Sequence, residues 1–203
     1  GSVAVIGGGR LYHGAPFLAA SSALRTGVDL LYLCVPQNIT TAVRALSPNI
    51  IVIPRPDVKI TTGAANKILK WLPKIDSLVL GPGLGRQRTD GSIKLVRELS
   101  SEGVKVVLDA DALRTDIVNE IKGRNAVITP HIGEFKRLYD IDLNISQDER
   151  VEAVRKMAAE NKITILLKSK IDIISDGTNV ILNKTGSPAM TAGGTGDILS
   201  GLV

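Results

Sequence analysis

The sequence predicts an α/β fold of three layers, with helices on both faces of a mostly parallel sheet, and three observations carry that prediction. Short β-branched runs alternate with amphipathic stretches along most of the chain. The runs hold so few polar residues that the strands need cover on both faces. Glycines and acids gather directly after them, as "GGGR" (7–10), "GPGLG" (81–85), "DAD" (109–111), "TPHIGE" (129–134) and "AGGTGD" (192–197). That places them at the carboxyl ends of strands, where open parallel sheets collect ligands.

Taken in order, "VAVIG" (3–7) reads as a buried strand and "APFLAASSALRTG" (15–27) as a helix closed by Gly27. The strand "LLYLCV" follows, then a helix over "ITTAVRALS", the strand "IIVIP" and a helix over "GAANKILKWL". Next come the strand "SLVLG", a helix over "SIKLVRELSSEG", and the strands "VKVVLDAD" and "NAVITP" with "TDIVNEI" between them. Beyond Asp140 the rhythm changes. Ser146 and Glu149 have capping-box spacing and open a helix that runs to about Asn161. Three β-rich runs then crowd into "ITILLKSKIDIISDGTNVILN", the last two joined at Asp176-Gly177. Without crossover helices they cannot be parallel neighbours, so an antiparallel hairpin is expected at one edge of the sheet. With no repeat, low-complexity tract or linker in view, one domain over 1–203 is expected.

At 203 residues the chain can bury one sizeable core, and its 44% hydrophobic and 22% charged content is that of a globular protein. A net charge of +5 attracts anions, but 3% aromatic content and the absence of a basic run or stacking stripe favour small phosphorylated ligands over nucleic acid. The single cysteine, Cys34, lies within "LLYLCV" and reads as a small buried hydrophobe; one cysteine allows no intrachain disulfide, which suits a reducing compartment. No apolar stretch is long enough to cross a bilayer and the first residues lack a secretory pattern, so a cytoplasmic protein with no membrane partner is expected. The missing initiator methionine and the abrupt "GLV" read as an excerpt of a longer chain.

The closing "MTAGGTGDILSGLV" is the most informative stretch. Gly193, Gly194 and Gly196 let backbone N–H groups converge, and the helix start that follows adds unpaired donors and a positive dipole end, an arrangement suited to an anion. The plainer alternative is a glycine turn with Asp197 as helix cap. Two common phosphate motifs are absent: no glycine precedes lysine and a hydroxyl at Walker A spacing, and Tyr12 stands where a dinucleotide fingerprint needs its third glycine. "GPGLG" reads either as a strand-to-helix loop or as close backbone approach to a bulky ligand. In "TPHIGE", Pro130 stops a strand while His131 and Glu134 bracket a helix start; His131 is one of two histidines and reads as a ligand contact. Lys168 fits a solvated edge as well as a ligand site, and Asp109 and Asp111 fit turns as well as a metal.

Together and in order, "GAPFLAASSALRTGVDLL", "LVLGPGLGR", "VVLDADAL", "ITPHIGEFKRL", "LLKSKIDIISDG" and "GSPAMTAGGTGDILSGLV" resemble the ADP- or ATP-dependent NAD(P)H-hydrate dehydratases. These are metabolite-repair enzymes of ribokinase-like fold, often fused behind a hydrate epimerase. The resemblance spans essentially all 203 residues and implies a single ribokinase-like domain over 1–203 that lacks the helices with which the family continues. It also implies a homo-oligomer. The sequence departs from the family at three places: Ser169 stands for the usual glycine, which bears on the backbone of the nucleotide loop, Ile132 for a proline and Arg114 for an asparagine.

Carried over residue by residue, the resemblance implies that Ala15, Gly83, His131 and Asp197 contact the hydrated nicotinamide nucleotide. It implies that Lys168, Ser169, Lys170, Ile171 and Asp172, with Gly193, Gly194, Thr195 and Gly196, hold ADP or ATP. Asp197 is then the catalytic base, and Glu134 helps to hold Mg²⁺ through water. The implied chemistry is phosphorylation of the ring hydroxyl followed by elimination of phosphate. Two rivals have the same anion site. A small-molecule kinase of the ribokinase-like group, acting on an alcohol such as hydroxyethylthiazole, would release a stable phosphate ester; "GPGLG" and "TPHIGE" are less typical of it. A non-catalytic nucleotide-binding module would have little use for Asp197.

Overall fold

The β-branched runs become the strands β1 (Ser2–Ile6), β2 (Leu30–Pro36), β3 (Ile51–Arg55), β4 (Ser77–Leu80), β5 (Lys105–Leu108), β6 (Ala126–Ile128), β7 (Thr164–Leu167), β8 (Asp172–Ser175) and β9 (Val180–Asn183). Between them lie α1 (Gly14–Arg25), α2 (Thr40–Arg44), α3 (Thr62–Trp71), α4 (Asp90–Ser101), α5 (Thr115–Val118), α6 (Ile132–Tyr139), α7 (Gln147–Asn161) and α8 (Thr195–Leu202). The computed structural model describes residues 1–85 and 90–203, so Arg86, the last letter of "LVLGPGLGR", lies outside the described residues.

The strands form one sheet in the order β3-β2-β1-β4-β5-β6-β7-β8-β9. Neighbours from β3 to β7 are parallel, and β7–β8 and β8–β9 are antiparallel, as the crowding of the last three runs requires. The register is level across the middle: Ile6 pairs with both Cys34 and Leu80, Leu80 with Leu108, and Leu108 with Ile128. Loops leaving these strands therefore emerge on one rim. The chain winds outward from β1 to β3 and then resumes at β4 on the other side of β1, which makes the β1–β4 boundary a topological switch point.

Both faces of the sheet are covered. Ile6, Leu78, Leu80, Val106 and Leu108 pack against α3, α4, α5, α6 and α7 through residues such as Ile68, Leu95, Ile117, Phe135 and Val154. On the opposite face Val5, Leu31, Leu33 and Val35 meet Ala19, Ala20 and Ala23 of α1 and Val43 of α2. Cys34 is fully buried, and burial pushes its thiol up to about 12, so it behaves as the small hydrophobe expected.

Local signals set most boundaries. α7 opens on a capping box in which the Glu149 N–H donates to Ser146 Oγ at 3.3 Å and the Ser146 N–H to Glu149 Oε2 at 2.9 Å. α1 gives way to Gly27, whose φ of +90° only glycine adopts readily. At the β8–β9 turn, Asp176 accepts from the Thr178 and Asn179 N–H groups at 2.8 and 2.7 Å. The helix expected over 39–47 is shorter than its periodicity suggests, a 3-10 turn at Gln37–Ile39 followed by α2. Pro36 and Pro48 bracket it, and the β-branched Thr40, Thr41 and Val43 hold three of its five positions.

Arg55, at the end of β3, is fully buried and was passed over by the sequence reading. Its guanidinium donates to the carbonyls of Gly8, Asp57 at 3.0 Å and Val58 at 2.9 Å, which ties the loop after β1 to the loop after β3. Burial pulls its pKa down to about 10. Arg55→Met is expected to lower unfolding free energy by about 2–4 kcal/mol, because the Gly8 and Asp57 carbonyls lose a charged donor. Urea denaturation monitored by circular dichroism checks it.

Candidate active site

The rim is assembled by loops packing backbone to backbone. The Gly8 N–H donates to the Pro82 carbonyl at 2.8 Å, and a Cβ on Gly7 would fall 2.3 Å from that same oxygen. Gly81, at φ +133°, passes so near β5 that a Cβ would lie 1.7 Å from the Asp109 carbonyl oxygen. At Gly83, φ +67°, a Cβ would lie 2.5 Å from the Tyr12 carbonyl oxygen and 3.1 Å from the Ala15 Cβ. The glycines of "GPGLG" thus admit other loops of the same chain, and in doing so bring Gly83 against Ala15. The Gly85 N–H donates to Asp111 Oδ2 at 2.7 Å, which links this loop to the end of β5.

At the end of β6, His131 is the N-cap of α6. Its Nδ1 accepts from the Gly133 and Glu134 N–H groups at 3.0 and 3.3 Å, while Glu134 Oε2 accepts from the His131 N–H at 2.8 Å. This is a capping box with histidine in the serine position. With Nδ1 accepting, the neutral ring carries its hydrogen on Nε2, which lies 3.5 Å from Glu134 Oε1 on the exposed side. His131 therefore has a structural task and keeps one ring nitrogen for a ligand. Ile132 starts the helix without the proline usual there.

Lys168, at the end of β7, is no solvated edge residue. Its Nζ donates to Asp109 Oδ1 at 2.7 Å, and the same oxygen accepts from Thr129 Oγ1 at 2.7 Å. The Lys168 N–H donates to the Pro130 carbonyl at 2.8 Å, so the backbone of this residue runs beside His131. The loop that follows turns without glycine. The Ser169 N–H donates to Asp172 Oδ1 at 3.0 Å, Ser169 Oγ donates to the Ile171 carbonyl, and Asp172 Oδ2 accepts from Asn183 Nδ2 at 3.0 Å. Ser169 is not among the residues with positive φ, so the departure from glycine is accommodated. The Asp172 carboxylate is engaged inside the loop, and Lys170 is exposed.

Gly194, in the left-handed region at φ +95°, is the N-cap of α8, which makes no side-chain cap hydrogen bond. Asp197 sits in the first turn as an acid facing the positive end of the helix, and the reading of it as a cap is set aside. Its half-buried carboxylate has no hydrogen-bond partner among the described residues. Burial raises its pKa to about 6; Asp109 and Asp111 push the same way and Lys168 opposes them. A Cβ on Gly196 would lie 3.5 Å from Lys168 Nζ, so the lysine points at this loop. Behind it, α8 lies hard against α1: a Cβ on Gly201 would fall 2.0 Å from the Ala19 carbonyl oxygen, and Ser22 Oγ donates to the Ile198 carbonyl at 2.8 Å.

The structure therefore unites Lys168 with the Gly193–Asp197 loop, His131 with Glu134, and Ala15 with Gly83, all on one rim. Between the "DAD" turn and α6 a cleft of about 410 Å³ is lined by Asp111, Arg114, His131, Glu134 and Arg137 among others. Asp109, open from sequence between a turn and a metal ligand, instead pairs with Lys168 and Thr129, partners that its position at a strand end within "DAD" does not reveal. Among the described residues no three His, Cys, Asp or Glu side chains cluster as a metal cage. Mg²⁺ needs no such cage, since it keeps waters and binds nucleotide phosphates through one or two carboxylates. Glu134 lines the cleft, and its Oε1, 3.5 Å from His131 Nε2, makes no hydrogen bond among the described residues, which fits that mode.

The sequence model of NAD(P)H-hydrate dehydratase matches residues 3–203. The chain belongs to the NAD(P)H-hydrate dehydratase family. It is 47% identical over 204 residues to the ADP-dependent (S)-NAD(P)H-hydrate dehydratase of Nitrosopumilus maritimus, an alignment covering 100% of this chain and 71% of that protein. The ADP/ATP-dependent NAD(P)H-hydrate dehydratase of Bacillus subtilis, co-crystallised with ATP and Mg²⁺, has a TM-score of 0.81 at 26% identity over 99% of this chain and 70% of that one. A ribokinase-like superfamily protein from Enterococcus faecalis, 24% identical with a TM-score of 0.77 over 100% of this chain and 69% of that one, shares the fold. Within this chain of the family, Lys168 Nζ lies beside Gly196, the residue before Asp197.

Proposed function

We propose that this chain restores NADH or NADPH from the S-epimer of its hydrate, using ADP or ATP, as a hydro-lyase of metabolite repair. The observation that carries the reading is the Asp197 carboxylate, half-buried and unpartnered among the described residues, beside backbone amides and an ammonium suited to a phosphoryl group. The names of the related dehydratases support the substrate and the nucleotide.

In this reading Asp197 accepts the proton of the ring hydroxyl. The freed oxygen bonds to the terminal phosphorus as the phosphoanhydride bond breaks, leaving AMP from ADP or ADP from ATP. The Gly193–Gly196 amides and Lys168 hold the phosphoryl oxygens meanwhile. The ring nitrogen's electron pair then expels inorganic phosphate, and loss of a proton from the neighbouring ring carbon restores the double bond. Ala15, Gly83 and His131 orient the nicotinamide nucleotide. Ser169 to Asp172 shape the nucleotide side. Glu134 and the nucleotide phosphates would hold Mg²⁺, which adds positive charge at the phosphates.

The same reading places the reaction in the cytoplasm, in a homo-oligomer, with a hydrate epimerase as the companion activity. Among the described residues no helix is long and apolar enough to cross a membrane.

Incubating NADHX or NADPHX with ADP or ATP tests the proposal. Return of the reduced-nicotinamide absorbance with one phosphate released per turnover supports it. Phosphorylated hydroxyethylthiazole without that return points to a kinase, and tight nucleotide binding without turnover points to a passive module. Because Asp197 must be ionised to accept a proton, kcat/KM is expected to follow an acidic limb near pH 6 and to be about tenfold lower at pH 5 than on the plateau. A rate profile that stays flat to pH 5 removes Asp197 from the role.

A further inference from the structure

Asp109 is 1% exposed, and the reaction just described gives its carboxylate no task. Its Oδ1 nevertheless binds two donors, Thr129 Oγ1 and Lys168 Nζ, each at 2.7 Å. Its own carbonyl lies beneath Gly81, and the Lys168 backbone is tied to Pro130 at 2.8 Å, so both ends of the Lys168 side chain are fixed. The ammonium then rests beside Gly196, one residue before Asp197. A charge pair largely removed from water is poor value as a stabiliser, because an apolar pair of the same volume avoids the desolvation. A lysine on a flexible stem, by contrast, is a poor phosphate ligand unless something holds it.

We propose that Asp109, with Thr129, is a positioning residue that holds the Lys168 ammonium at the mouth of the Gly193–Gly196 loop, where one cation serves both the transferring phosphoryl group and the Asp197 carboxylate. The inference rests on the assignment of Asp197 as base. Among the described residues the charged groups facing Asp197 are Asp109 and Asp111 at the end of β5 and Lys168 at the end of β7. The helix packed along α8, α1, carries only Arg25, in its last turn. Asp109 and Lys168 therefore act on Asp197 in opposite senses. Asp109→Asn removes a like charge and lets the ammonium leave its phosphoryl position to pair with Asp197, which moves the acidic limb to lower pH. Lys168→Met removes the opposing cation and moves the limb to higher pH.

The test measures kcat and KM against pH for the parent chain, Asp109→Asn, Lys168→Met and the double variant, with NADHX and ADP or ATP. Asp109→Asn is expected to lower kcat about 10- to 100-fold, the scale of a misplaced catalytic group, and to change the nucleotide KM far less. The double variant is expected to cost about as much as Lys168→Met alone, since Asp109 acts through the lysine. Additive losses, or limbs that stay put or move in the same direction, overturn the proposal. Thr129→Val, which removes only the second donor to Asp109, covers the case of a larger change preventing folding; a kcat loss with KM kept supports the proposal, and no change in kcat overturns it. A ¹³C NMR titration of the Asp197 carboxyl in the same variants reads the opposite shifts without turnover. If the parent chain proves inactive on NADHX, opposite NMR shifts uphold the positioning role while the dehydratase reading falls, and unmoved shifts overturn the role by itself.

Discussion

Asp197→Asn is expected to lower turnover by a factor on the order of 10² or more while nucleotide affinity survives. The amide keeps the shape of the first turn of α8 and leaves the Gly193–Gly196 amides and Lys168 in place, but it cannot take a proton. The same substitution is expected to stabilise the fold at pH 8. Folded Asp197 has its pKa raised to about 6 from an ordinary 3.8, so the folded state holds its proton more tightly than the unfolded chain. The ionised carboxylate therefore weighs against folding progressively as pH rises from about 4 to about 6, and fully above that. After allowance for partial exposure, removing it gains about 1–2 kcal/mol at pH 8 and nothing at pH 3. Calorimetry with nucleotide, steady-state rates with NADHX and urea unfolding at the two pH values separate the three effects. Near-parent turnover in the variant would show that some other group accepts the proton.

Gly81→Ala is expected to be the most damaging single methyl in the chain. A Cβ there falls 1.7 Å from the Asp109 carbonyl oxygen and 3.0 Å from the Ala112 side chain, at a φ of +133° that an alanine rarely adopts. Neither neighbour is the free end of a flexible side chain, so β4 and β5 must separate at the rim or the loop must refold. The expected cost is about 3 kcal/mol or more, from overpacking and backbone strain together. A shift of the urea midpoint, with loss of activity in whatever folds, would agree. Gly85→Ala is the control: it shares a positive φ, +74°, but no atom of the described residues lies within 4 Å of where the Cβ would stand, so its cost is expected to be smaller.

What the sequence made legible follows from local rules. The parallel strands announce themselves by β-branched runs without polar alternation, and the antiparallel edge by three runs too close together for crossovers. Capping chemistry located α7 at Ser146 and placed His131 and Glu134 at the start of α6. The start of α8 was legible because glycines directly before an acid and an apolar run mark a tight turn into a helix. What escaped notice depends on partners distant in sequence. Asp109 and Lys168 are 59 positions apart, and nothing in "DAD" or "LLKS" alone says that they touch. Arg55 is buried because carbonyls from two loops surround it, whereas its own neighbourhood of prolines and a strand end suggests only a boundary. The crowding around "GPGLG" is likewise a property of three loops at once. Ser169 shows the converse, a departure from family pattern that local hydrogen bonds to Asp172 and Ile171 absorb.

The contact between α1 and α8 has a consequence for how charge is met during the reaction. With Gly201 seated on the Ala19 carbonyl and Ser22 bridging to Ile198, the helix that carries the N–H donors is braced against α1. Its dipoles are oriented before any charge arrives, so almost no reorganisation energy enters the barrier from that side.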